Sequence, residues 1–124
     1  MLLPRRMMDA LAEALPDADC PVALAVQTIG GKWKMLVLRA LLLRGPQRYN
    51  RLLESVVGVS AKELTRNLRE LETAGLLTRT LGSDRQTSYA LTALGAQLMP
   101  AFRELIPFGE RLQATRQQNG SKHA

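Results

Sequence analysis

Residues 60–74 read SAKELTRNLRELETA, and they carry the start, two opposed faces and the end of one helix. Ser60 followed by Glu63 is a capping box, in which the serine oxygen accepts from a free backbone N–H while the glutamate reaches back to the serine N–H. Gly75 suits a helix C-cap, so the helix is predicted to run from Ala61 to about Ala74. At about 100° per residue, three leucines form a stripe and four polar residues cluster nearly opposite. The leucines are Leu64, Leu68 and Leu71, and the polar residues are Lys62, Thr65, Arg66 and Arg69.

Helical patterns precede this segment. Residues 48–57 predict a shorter helix closed by Gly58, and residues 33–43 predict a helix that is apolar on nearly every side and therefore surrounded by others. Residues 22–29 suit another helix, which Gly30-Gly31 ends.

A hairpin pattern follows it. Residues 76–81 and 86–91 are predicted strands, and the Gly-Ser-Asp sequence at 82–84 has turn chemistry. Thr92 is the predicted cap of a final helix with a long apolar stripe, and Pro107 is expected to bend or end that helix.

A short helix, a turn containing glycine and a capped helix with one basic face are typical of a helix-turn-helix, whose second helix lies in the major groove of DNA. The hairpin adds a wing. We therefore expect a mainly α fold with a small β-hairpin, a winged helix-turn-helix, in which Arg66 can reach guanine bidentately. The alternative is a solvated face in which the cations pair with the helix's own acids, namely Glu63, Glu70 and Glu72.

The charge balance agrees with a polyanion partner. The 124 residues, enough for one domain, include 17 Lys and Arg against 11 Asp and Glu, a formal net charge of +6. No acid occurs between Cys20 and Leu53, whereas residues 1–19 are net acidic.

The rare residues exclude several classes of protein. A single cysteine and a single histidine, His123, allow no disulfide framework, and we expect no metal, no cofactor and no catalytic triad, hence no enzyme. No apolar run approaches the roughly 18 residues of a membrane span. Arg5 and Arg6 are followed by Asp9 and Glu13 where a signal peptide would be apolar, so we expect a cytoplasmic protein that does not contact membranes.

Three stretches together resemble the HxlR family of bacterial winged-helix regulators. They are CPVALAVQTIGGKWKMLVLRAL at 20–41, GPQRYNRLLESVVGVSAKELTRNLRELETAGLLTRT at 45–80 and YALTALG at 89–95. The resemblance covers Cys20 to about Gly109. It implies a winged-helix fold, homodimers built from N- and C-terminal helices, and double-stranded DNA binding through the helix after the turn and through the wing.

The resemblance makes the helix from Ala61 to Ala74 the recognition helix. The wing, Leu81 to Ser88, lacks the prolines and valine that many relatives have there, so Arg79 and Arg85 are either DNA contacts or charges on an exposed loop. The predicted DNA-binding residues are Ser60, Lys62, Thr65, Arg66 and Arg69 on the helix, Arg79 and Arg85 on the wing, and Arg48 and Arg51 at backbone phosphates.

The predicted organisation has four parts. Residues 1–19 form an N-terminal arm and helix (7–15), 20–92 the winged helix-turn-helix domain, 93–114 a C-terminal dimerisation helix, and 115–124 a polar, disordered tail. The homodimer is expected because the apolar stripe is longer than one small body can cover. Its predicted interface residues are Leu11, Leu94, Leu98, Phe102, Leu105 and Phe108.

Cys20 has two interpretations. A free cysteine is commonly a small buried hydrophobe. The resemblance supports a redox or electrophile switch instead, because some relatives sense oxidants or electrophiles through a cysteine before Pro-Val. The sequence identifies no small-molecule effector. A rival function is a winged-helix module that binds protein or RNA, but Lys62, Thr65 and Arg66 favour DNA, since a protein-docking surface would be more apolar.

Overall fold

The computed structural model describes residues 4–14 and 20–123, with side chains at 4–9 and 20–120. Its elements, in chain order, are α1 (Arg5–Ala14), α2 (Pro21–Ile29), α3 (Lys32–Arg44), β1 (Gln47–Arg48), α4 (Tyr49–Ser55), α5 (Ala61–Thr73), β2 (Leu77–Leu81), β3 (Thr87–Leu91), α6 (Ala93–Ala96) and α7 (Met99–His123). The mainly α fold with a small β-hairpin is confirmed.

The helix α5 forms as its capping box predicts. The Ser60 Oγ accepts from the Glu63 backbone N–H at 3.1 Å, and its hydroxyl donates to the Glu63 carboxylate at 2.9 Å. The three stripe leucines are at most 1 % exposed and face α3, the predicted central helix. The buried core consists of Val37, Leu38, Ala40, Leu41, Leu52, Val56, Val59, Leu64, Leu68, Leu71, Leu76, Leu77, Tyr89 and Phe102.

The predicted hairpin is present, and a third strand joins it. The sheet order is β1-β3-β2, antiparallel, with Leu77 opposite Leu91 and Arg48 opposite Ser88. Arg48 was predicted to begin a helix but lies in β1, and α4 begins one residue later. A two-residue strand has no periodicity of its own, and only its pairing with β3 defines it.

The C-terminal helices differ from the prediction. Thr92 does cap a helix, since its Oγ1 accepts from the Gly95 N–H at 3.1 Å, but that helix, α6, ends at Ala96. Gly95 is buried directly against the Leu76 carbonyl, which holds this short turn on the sheet. A separate helix, α7, begins at Met99.

The helix α7 does not end at Pro107, and it extends to His123 where a disordered tail was predicted from 115. Pro107 is exposed and removes only one backbone hydrogen-bond donor, so the other hydrogen bonds of the helix continue past it. The tail is polar but includes good helix formers at Arg116, Gln117, Gln118 and Lys122, and an exposed extension of an existing helix needs no core of its own.

Candidate nucleic-acid interface

The exposed face of α5 carries unpaired cations. Lys62, Arg66 and Arg69 are exposed, and none of them forms an ion pair within 4.0 Å to any of the residues described. They lie opposite the buried leucine stripe, as the periodicity predicted.

The acids of α5 are engaged by other groups, which argues against the alternative of a self-paired face. Glu63 bonds Ser60, Glu70 Oε2 lies 2.7 Å from Lys34 Nζ on α3, and Glu72 Oε2 lies 3.6 Å from Arg79 Nε on β2. Each acid of α5 therefore has a partner within the fold, whereas the exposed cations Lys62, Arg66 and Arg69 form no ion pair with the residues described.

The same contacts lower two carboxyl pKa values on α5. The pKa of Glu63 is lowered chiefly by the Ser60 hydroxyl, and that of Glu70 is lowered chiefly by its hydrogen bond from Lys34. Arg66 adds a smaller electrostatic effect on each. On the wing, the pKa of Asp84 is lowered by the Gln86 backbone N–H and then by Arg48.

The stability of the fold is therefore expected to fall in acid. In the unfolded chain these carboxyls take up protons near their ordinary pKa, 4.5 for glutamate, whereas in the folded chain they resist protonation to lower pH. The stabilisation is complete above that range and is lost as the pH falls through the lowered values.

Urea midpoints should decrease between neutral pH and about pH 3.5, and they should decrease less steeply for Glu70→Gln than for the wild type. Glu54→Gln is the control, because Glu54 is exposed and has no ion pair in the described chain. An equal pH dependence in Glu70→Gln and wild type would contradict the assignment.

The Thr65 hydroxyl, which the sequence predicted to be available for DNA, is already hydrogen-bonded within the fold. Its Oγ1 lies 2.9 Å from the Tyr49 hydroxyl, which also donates to the Ala61 carbonyl at 3.1 Å. Thr65 is half-buried, so a base contact from it would come more readily from its methyl group, which can meet a thymine methyl.

The wing places one free cation at its tip. Arg85 lies in the turn with a φ of +64°, is exposed, and forms no ion pair in the part of the chain described. Arg79, in contrast, is held by Glu72. Arg48 reaches the tip from β1, with its Nη1 2.7 Å from Asp84 Oδ2 and 2.6 Å from Gln86 Oε1.

These contacts separate the two predicted phosphate ligands, Arg48 and Arg51. Arg51 is exposed on α4 and has no ion pair among the residues described, so it stays available. Arg48 is occupied by the wing. Tyr49 and Lys34 were not predicted from the sequence, because their partners lie 12 or more residues away, a separation at which no local pattern signals a contact.

Of the predicted dimer residues, two are used inside the chain. Phe102 is 9 % exposed and belongs to the core, and Leu98 packs against it, because the first turns of α7 lie on the body. Leu94 is 53 % exposed. Leu105 (43 %), Phe108 (55 %) and Leu112 (45 %) continue the stripe in solvent at spacings of three and four residues. Leu11 lies in α1, and its side chain is outside those described.

Cys20 lies at the N-terminus of α2. It is the N-cap residue, its carbonyl accepts from the Leu24 N–H at 3.0 Å, and its side chain is half-buried. Cys20 is therefore not part of the buried core. Separately, no helix of the described residues combines the length and the apolar composition that a bilayer span requires.

Comparisons with known proteins agree with this architecture. Residues 28–117 match the model of the HxlR-like helix-turn-helix family. A relative from Methanothermobacter thermautotrophicus, named an uncharacterized HTH-type transcriptional regulator, is 34 % identical over 105 residues, which cover 83 % of this chain and 79 % of the relative.

Two solved structures share the fold. The redox regulator HypR in its oxidized form is 31 % identical with a TM-score of 0.68, and the match covers 74 % of this chain and 96 % of HypR. Quinone-bound YodB from B. subtilis is 28 % identical with a TM-score of 0.64, over 74 % of this chain and 99 % of YodB. With the capped basic helix, the wing and a family match over most of its length, this chain belongs to the HxlR-like helix-turn-helix family of transcriptional regulators.

Proposed function

We propose that the chain is a sequence-specific, double-stranded DNA-binding regulator that acts as a homodimer, with α5 as the recognition helix. The observation that carries this proposal is the division of charge on α5. Glu63 accepts a hydrogen bond from Ser60, and Glu70 and Glu72 form ion pairs with Lys34 and Arg79, whereas the exposed cations have no ion pair in the described structure. A free cationic face on a rigidly packed helix suits a major groove.

In this arrangement the parts of the surface have different roles. Arg66 reads a guanine edge, while Lys62 and Arg69 bind phosphates beside it. Arg85 contacts phosphate or the minor groove from the wing, and Arg51 holds the backbone from α4. Phosphate contacts set the register, and the base contact supplies the sequence preference.

Selection of bound fragments from random duplex DNA tests this function. We expect a near-palindrome whose half-sites lie about 34 Å apart, or a multiple of that, because two recognition helices of a symmetric dimer must meet successive major-groove faces. The combined substitution of Lys62, Arg66 and Arg69 by glutamine should abolish the enrichment.

The matched control removes three positive charges from α7 instead, by replacing Arg103, Arg111 and Arg116 with glutamine. These residues are exposed. If both triple variants stayed dimeric and lost binding equally, α5 would not be the recognition helix. If structured RNA competed as well as the selected duplex, the rival function of an RNA-binding module would be favoured.

The homodimer is a second prediction, and the exposed α7 stripe supports it. Light scattering at micromolar concentration should give twice the chain mass of 13.7 kDa. Phe108→Glu should give monomers, because it places a charge in an apolar interface. Val57→Glu is the control, since Val57 is 82 % exposed and lies between α4 and α5, outside α7. A wild-type monomer, with or without DNA, would count against the dimer.

A response of Cys20 to oxidants or electrophiles stays a prediction. Its partial exposure and the similarity to the redox regulator HypR support it. A mild oxidant or a quinone should weaken operator binding by the wild type and leave Cys20→Ser unaffected in a gel shift, because the thiolate is the reactive form. Equal loss in both proteins, or loss in neither, would make Cys20 a packing residue.

A further inference from the structure

Two consecutive residues hold the two surfaces that are proposed to meet DNA. Arg48 is the last residue of β1 and Tyr49 is the first residue of α4. The Arg48 side chain bonds the tip of the wing, and the Tyr49 side chain bonds the first turns of α5. No other adjacent pair in the described chain forms side-chain hydrogen bonds to both of these elements.

The contact with the wing fixes an unusual backbone. Arg48 Nη1 donates to the side chains of Asp84 and Gln86, and Asp84 Oδ1 accepts from the Gln86 N–H at 3.1 Å. Arg85, between them, adopts a φ of +64°, which residues with a Cβ rarely do. Two backbone hydrogen bonds close this turn, from the Gly82 N–H to the Gln86 carbonyl at 2.8 Å and from the Arg85 N–H to the Gly82 carbonyl at 3.0 Å, and the Arg48 and Asp84 side chains brace it from outside.

The contact with the helix is made at its beginning. The Tyr49 hydroxyl donates to the Ala61 carbonyl and meets the Thr65 hydroxyl. Both groups lie within the first two turns of α5, next to the residue that is proposed to read bases, Arg66.

We propose that Arg48 and Tyr49 are positioning residues that set the placement of the wing relative to α5, so that Arg85 and Arg66 meet one duplex together. This inference rests on the proposed DNA-binding function. A duplex is stiff, so two contacts held at the correct separation bind it without the ordering cost that two independent contacts incur.

Substitution of Asp84 distinguishes a positioning role from a purely electrostatic effect on DNA binding. Electrostatics alone predicts that removal of an acid near the phosphate backbone tightens DNA binding and releases Arg48 for a phosphate. Positioning predicts the opposite sign. Asp84→Ala should weaken binding about three- to tenfold at fixed salt, because Arg85 is no longer held in place.

A double-mutant cycle tests the link to Arg48. Arg48→Ala should weaken binding to a similar extent, and the double variant with Asp84→Ala should be little weaker than either single variant. Arg51→Ala is the matched control, because Arg51 is proposed to touch phosphate independently. Its effect should be the same in the wild-type and Asp84→Ala backgrounds.

Tyr49→Phe tests the other half of the pair. It keeps the ring and removes the hydroxyl, and it should weaken binding severalfold while relaxing base preference. Tyr89→Phe is the control, since the Tyr89 hydroxyl has no hydrogen bond within the described residues and lies on β3. Hydrogen exchange of the DNA-free protein should show faster exchange at 82–87 in Asp84→Ala and at the start of α5 in Tyr49→Phe.

Failure of the positioning role can be distinguished from failure of the proposed DNA-binding function. Tighter DNA binding by Asp84→Ala, or an Arg48→Ala effect that is equal in both backgrounds, would overturn the positioning role and make Arg48 a phosphate contact. If the wild type bound no DNA, the proposed function would fail, and the exchange experiment would still decide whether these residues hold the two elements. Unchanged exchange in both variants would overturn the inference.

Discussion

Leu68→Ala is expected to lower the free energy of unfolding by about 2–5 kcal/mol. Leu68 is 1 % exposed in the middle of the α5 stripe, where α5 packs on α3. Truncation removes buried apolar surface and leaves a cavity that the flanking Leu64 and Leu71 cannot fill without moving the helix. Much of the stability of so small a domain would be lost.

Urea denaturation measures this effect, at one protein concentration because a dimer's stability depends on it. Val57→Ala provides the comparison, since Val57 is 82 % exposed and its truncation should change stability by no more than about 0.5 kcal/mol. If the two variants were equally stable, the stripe would not be the packing face of α5.

Arg66→Ala is expected to weaken binding to a selected operator by about 1–3 kcal/mol and to relax the preference at one base pair. Arg66 is exposed in the middle of α5 and forms no ion pair with the residues described, while Glu70 and Glu72 pair with Lys34 and Arg79. A bidentate guanine contact is lost, so the wrong bases are no longer disfavoured at that position.

Titrations at several salt concentrations separate this effect from that of the wing. Arg85→Gly should weaken all sequences alike and lower the salt slope by about one, because it removes a phosphate contact. Glycine is chosen because it adopts a φ of +64° without steric cost, which keeps the turn intact. An Arg66→Ala variant that kept both affinity and preference would exclude α5 from base recognition.

The local features of α5 and the wing could be predicted from the sequence. The Ser60 and Glu63 capping box, the leucine stripe and the hairpin depend on contacts within a few residues or on a short repeat, so their pattern is present in the order of residues. The family resemblance rested on the same stretches, and the match over 28–117 confirms it.

The predictions for the C-terminal helix were wrong where a rule about single residues was applied without the structure around them. Polar composition and Pro107 predicted that the last helix would end early, but α7 continues to His123 as an exposed extension of an existing ladder. Phe102 and Phe108 are six residues apart on α7, which places them about 120° apart around the helix, so Phe102 joins the core and Phe108 stays exposed.

The sequence by itself determined which face of α5 is apolar and which is cationic, since a helix assigns faces by its period alone. Only the tertiary structure decided which charges on that helix are free. Lys34 forms an ion pair with Glu70, and Arg79 forms one with Glu72. Arg48 hydrogen-bonds to the wing, and Tyr49 hydrogen-bonds to Thr65. Ion pairs and hydrogen bonds act over a few ångströms in space, and these partners are brought that close only after α3, α5 and the sheet have packed on one core.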